Sequence, residues 1–133
     1  MRALKFSLLA VAALFLLFTA SPGSAQDWTA YTPQSFAAAQ SEGKTLVVHV
    51  HAVWCPTCKA QMPTLDELKA ESGLSKVVFM RVDFDKEKAF LKDHRVATQS
   101  TILVFQGQKE TARSVAETDR ARLRALVLGA VQS

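Results

Sequence analysis

Thr45-Leu46-Val47-Val48-His49-Val50-His51-Ala52-Val53-Trp54-Cys55-Pro56-Thr57-Cys58-Lys59 contains both cysteines of the chain. Its first half is apolar and β-branched and reads as a buried strand. Its second half opens a helical pattern in which Met62, Leu65 and Leu68 fall on one face. Cys55 therefore lies where a strand gives way to a helix N-terminus. The free N–H groups and the dipole of that terminus favour negative charge, so a thiol there ionises more readily. The thiolate is the reactive form of cysteine. Cys58 follows on the same helical turn, close enough to form a disulfide. A loop that small stabilises little by chain entropy, so redox chemistry explains the pair better than architecture does.

Upstream, residues 1–25 read as a secretory signal peptide. Arg2 and Lys5 give a positive start, and residues 8–18 are apolar without a break, which is short for a membrane span. Ser21, Pro22 and Gly23 break the pattern, and Gly23-Ser24-Ala25 predicts cleavage before Gln26. Removing those 25 of the 133 residues leaves 108, enough for one domain over residues 26–133. The expected setting is disulfide-permissive, a bacterial periplasm, with no stable membrane span after cleavage. The formal charge falls from +4 to +2 once Arg2 and Lys5 are gone. Arg113, Arg120, Arg122 and Arg124 are the one basic concentration, and they read as a solvated helix face. No nucleic-acid partner is expected.

The domain reads as helix, strand, helix, strand, helix, strand, strand, helix. Residues 26–32, with Trp28 and Tyr31, form an extended lead-in. Thr32-Pro33 starts a helix that Gly43 ends. The strands are expected at 45–52, 76–84, 101–106 and 110–115, the last two joined by a hairpin at Gln106-Gly107-Gln108. Gly73 is expected to close the second helix and Asp85 to cap a third over 86–93. Thr118 or Asp119 caps a final helix with Leu123, Leu126, Val127 and Ala130 on one stripe. The fold class is α/β, with a mixed four-stranded sheet flanked by helices. Pro63, inside the second helix, is expected to bend it.

These residues resemble the thioredoxin family. Trp54 stands directly before Cys55 and Lys59 directly after Cys58, as in its W-C-x-x-C-K. Pro63 matches its helix proline, residues 79–85 its second core strand, and residues 101–105 the strand after its cis-proline loop. The likeness spans residues 28 to 130. It implies a three-layer sandwich, a monomer, and a thiol–disulfide oxidoreductase without cofactor. Its partners would be protein thiol or disulfide substrates and a redox partner protein. By position Cys55 is the attacking thiol, exposed at the helix tip, and Cys58 the shielded, resolving one. Pro56 stiffens the first turn, and Thr57 offers a hydroxyl to the Cys55 sulfur.

The chain also departs from the family. The family's buried acid falls on His49, whose imidazole is suited to take the Cys58 proton. His51 lies on the same strand face. The cis-proline position falls on Ser100, so the Gln99–Ser100 bond is expected to be trans. Ala116 stands where the family often has glycine, and Arg81 where it often has lysine. Proline at position 100 is expected to raise general reductase activity. Ser100 also opens an alternative reading, in which Cys55, Cys58, His49 and His51 hold copper or zinc. A third is an interaction module with a dormant cysteine pair. His94 reads as a surface residue.

Overall fold

The computed structural model describes residues 26–132. The lead-in forms a short strand β1 (Thr29–Ala30), and Thr32 caps α1 (Pro33–Ser41) through a reciprocal capping box with Ser35. Then follow β2 (Thr45–His51), α2 (Pro56–Ala70), a 3-10 turn (Ser72–Leu74), β3 (Val78–Asp83) and α3 (Lys88–Asp93). The chain closes with β4 (Thr101–Gln106), β5 (Lys109–Val115) and α4 (Arg120–Val131). The sheet order is β1-β3-β2-β4-β5, with β1, β3 and β2 parallel and β4 and β5 antiparallel.

The sheet therefore has five strands rather than four. The additional one is the lead-in itself, which pairs Thr29 with Met80 and Ala30 with Arg81. Its two residues are too few for a periodic signal, so backbone pairing alone makes it a strand. Strand alternation sorts β2 between two cores. Leu46, Val48 and Val50 join Phe36, Phe90 and Phe105 on the α1 and α3 side. Val47 joins Leu65, Leu68, Ile102, Leu123 and Val127 on the α2 and α4 side. Each fully buried Leu or Phe contributes about 1.5–3 kcal/mol relative to an exposed one. His49 shares the parity of Val47 and so points towards α2.

Three local expectations need correcting. α2 ends at Ala70, and Gly73 lies in the following 3-10 turn. α3 begins at Lys88, because the Asp83 carboxylate accepts from the N–H groups of Asp85 and Lys86 and turns the chain first. His94 is not a surface residue. Its ring packs 4.3 Å from Phe90 and also against Phe36 and Phe105, where burial lowers its pKa. Asp119 caps α4, accepting from the Arg122 N–H at 2.9 Å. α2 runs on through the exposed Pro63, which has no N–H to offer the Lys59 carbonyl. Among the described residues no helix is long and apolar enough to cross a membrane.

Candidate active site

Cys55 is the N-cap of α2, with extended backbone, and its sulfur accepts the Cys58 N–H at 3.1 Å. Pro56 occupies the first helical turn, where a missing N–H costs nothing. Both thiols are free. Cys58 is 0% exposed, as its shielded role requires. Cys55 is only 1% exposed, which corrects the expectation of an exposed attacker. It packs with Ala52, Cys58 and Phe84, while Val53 (77% exposed) and Trp54 (54%) carry the outer surface. The Trp54 indole N–H donates to Asp85 at 2.8 Å, which fixes the ring beside the dithiol. Lys59 is exposed one residue beyond Cys58.

The two thiols are shifted in opposite directions. Burial pushes Cys55 up, but hydrogen bonding with the Cys58 thiol and N–H, with the Ser100 hydroxyl and with the Thr57 N–H outweighs it. The net shift is downward. Thr57 thus acts on Cys55 through its backbone. Cys58 is raised, by burial first and then by the neighbouring Cys55 sulfur.

Ser100 lies in the loop before β4. The Gln99–Ser100 bond is trans, since no cis peptide occurs among the described residues. Its φ is +57°, in the left-handed region that non-glycine residues seldom occupy. Its N–H donates to Val50 at 2.8 Å, its carbonyl accepts the Ala116 N–H at 3.1 Å, and its hydroxyl donates to the Gln99 carbonyl at 2.6 Å. Ser100 Oγ is 3.9 Å from Cys55 Sγ. Ala116 has φ +56°, so this departure from the family is also a position where glycine would be at ease.

His49 is fully buried, and its Nε2 lies 2.9 Å from Gln61 Oε1. Its ring is 5.4 Å from His51 and 5.9 Å from Trp28. Across the strand pair stands Arg81, whose guanidinium lies over Trp28 and reaches Met62 Sδ. His51 is half-buried and, with Trp28, Ala30, Val53, Arg81 and Asp83, lines a cavity of about 310 Å³. The structure gives His49 no hydrogen bond to either sulfur; its side-chain partner is Gln61. Among the described residues no three His, Cys, Asp or Glu side chains form a group able to hold a metal. The alternative expectation, copper or zinc held by Cys55, Cys58, His49 and His51, finds no such group there.

Gln61 belongs to the site although no motif singles it out. It is 0% exposed, on the face that Cys58, Leu65 and Leu68 define at helical spacing. A polar residue on an apolar helical stripe was the available signal. Three of the four arginines expected on a solvated helix face lie on α4, each paired with a glutamate, and Arg113 does not lie on that helix. Arg113 lies on β5 against Glu110, while Arg120, Arg122 and Arg124 on α4 meet Glu67, Glu117 and Glu71.

The buried imidazole has a consequence for stability. Burial, acting against the Gln61 hydrogen bond, lowers the His49 pKa to about 4. An unfolded histidine titrates near 6.5. Below that pH the unfolded chain takes up the proton first, so stability conferred by neutral His49 is present above 6.5. It is lost as pH falls towards 4, by up to about 3 kcal/mol. Urea unfolding at pH 7 and 4.5 checks this. The chain should lose more stability between the two than His49→Gln does, and equal losses would sink the prediction.

A dithiol at a helix N-terminus, on a mixed sheet of this topology, defines a fold for thiol–disulfide exchange. The thioredoxin family model matches residues 28–128. Thioredoxin of Bacillus subtilis is 33% identical over 96 residues, covering 72% of this chain and 90% of that protein. Thioredoxin of Chlamydia trachomatis is 32% identical over 94 residues, covering 71% and 89%. The crystal structure of Trxlp from Edwardsiella tarda superposes with a TM-score of 0.73 at 34% identity, covering 76% of this chain and 98% of that one. The chain belongs to the thioredoxin family, whose members are thiol–disulfide oxidoreductases.

Proposed function

We propose that the chain is an exported, monomeric oxidoreductase of the periplasm that cycles Cys55 and Cys58 between dithiol and disulfide on a dedicated protein partner. The observation that carries the exchange chemistry is the pair of free thiols on one helical turn, with Cys55 at the N-cap of α2 accepting the Cys58 N–H at 3.1 Å. The Cys55 thiolate attacks a client disulfide, forming a mixed disulfide and releasing one client thiolate. Cys58, once deprotonated, attacks the Cys55 sulfur. The second client thiolate leaves, two electrons have passed to the client, and Cys55–Cys58 is the oxidised product. Oxidation of a client dithiol is the reverse sequence.

The loop before β4 favours a dedicated partner. The N–H of Ser100 is already donated to Val50 and its carbonyl already accepts Ala116. Little backbone capacity remains there for pairing with an arbitrary extended peptide, so a partner must fit by its side chains. Export rests on the charge, apolar run and small residues of the first 25 positions.

One equivalent of iodoacetamide at pH 7 should label Cys55 ahead of Cys58, as peptide mapping reads directly. Preferential labelling of Cys58 would reverse the assigned roles. Fractionation of bacteria expressing the whole chain should recover a periplasmic product beginning at Gln26, and retention of an intact N-terminus in the cytoplasm would remove the export reading.

A further inference from the structure

Gln61 sits at the meeting point of three parts of the fold. It projects from α2 and is wholly enclosed. Its Nε2 donates to the Ser100 carbonyl at 3.0 Å and to the Glu117 carbonyl at 2.9 Å. A carbonyl oxygen only accepts, so the amide end of Gln61 must face these two groups. That leaves Oε1, also only an acceptor, directed at His49 Nε2 at 2.9 Å. Because that contact is buried, the proton must lie on the histidine's side. The imidazole is thus the Nε2–H tautomer, and its Nδ1 is a bare lone pair, buried and without a partner among the described residues.

We propose that Gln61 is a positioning residue: its carboxamide locks the His49 tautomer and ties β2 to the two left-handed turns that hold Ser100 against Cys55. The proposal deepens the exchange reading and rests on it for its functional meaning. One end of the amide fixes His49. The other holds the Ser100 carbonyl, and the same carbonyl receives the Ala116 N–H. The two turns, at φ +57° and +56°, are conformations that need surrounding structure to persist. Gln61 supplies donors to the Ser100 carbonyl and to the Glu117 carbonyl beside Ala116. Ser100 Oγ, 3.9 Å from Cys55 Sγ, accepts from the thiol in this state, and its rotatable proton turns from the Gln99 carbonyl to the sulfur once the thiolate forms. A leucine or methionine at position 61 would fill the space yet leave the Ser100 carbonyl with only the Ala116 N–H, the Glu117 carbonyl without the Gln61 donor and the imidazole N–H without an acceptor.

Two measurements test it. ¹⁵N spectra of the histidine-labelled chain at pH 7 should show His49 with a protonated Nε2 and an unprotonated Nδ1. The opposite tautomer would overturn the proposal without any variant. Gln61→Met should lose that fixed signature and slow iodoacetamide labelling of Cys55 about fivefold, the factor carried by one hydrogen bond of ordinary net strength. An unchanged spectrum and unchanged labelling in Gln61→Met would overturn it too. Neither readout needs a redox partner. If Cys58→Ser accumulates no mixed disulfide while both readouts behave as stated, the exchange reading falls and the positioning role of Gln61 stands.

Discussion

Cys55→Ser should abolish disulfide exchange, lowering the rate of insulin reduction by at least about a thousandfold, because a serine hydroxyl is not ionised near neutral pH. Retention of more than a tenth of the parent rate would show that Cys58 can attack by itself. The structure makes that unexpected: Cys58 is wholly enclosed and its thiol is raised, whereas Cys55 is lowered by donors arranged around its sulfur. Cys58→Ser is the complementary case. It leaves Cys55 able to attack but removes the thiol that would resolve the intermediate, so the mixed disulfide should accumulate. Its capture on a non-reducing gel, followed by mass spectrometry of the trapped chain, would identify the partner. A Cys58→Ser protein that turns over normally would remove the resolving role.

Ser100→Pro should destabilise the fold by about 3–5 kcal/mol. Proline fixes φ near −65°, and the native φ at this position is +57°. The substitution also deletes the N–H that donates to Val50 at 2.8 Å, leaving a carbonyl of a buried residue without that donor. This reverses the expectation drawn from the sequence, that proline at position 100 raises general reductase activity. The loop has been rebuilt around serine, with Gln61, Ala116 and Val50 all bonded to its backbone. Urea denaturation checks the magnitude, and a variant within about 0.5 kcal/mol of the parent, the range of a neutral surface change, would show that the loop relaxes freely.

Much of the architecture could be read along the chain because its signals are local. The apolar run before Trp54, the Thr32-Pro33 helix start, the turn at Gly107 and the stripe of Leu123, Val127 and Ala130 each announce an element within a few residues. Strand β1 carried no such signal, and the start of α3 was set by a side chain of β3 rather than by its own cap. The dithiol was equally legible, since its two cysteines, the helix start and the flanking Trp and Lys are neighbours in sequence. His49 could be placed on the inward face from strand alternation, but not its partner. Gln61 is 12 residues away, and its own partners, Ser100 and Glu117, lie 39 and 56 residues further on.

The sequence by itself determined the position of the reactive thiol, because helix-terminal electrostatics and the strand-to-helix junction are properties of adjacent residues. It also determined the trans bond before Ser100, which follows from the residue type. Tertiary structure alone decided how far Cys55 is enclosed, which residue answers the buried imidazole, and that Ser100 takes a left-handed backbone. Each of those depends on which distant groups close around a buried polar atom, and a buried donor or acceptor takes whatever partner the packed fold brings within 3 Å or so.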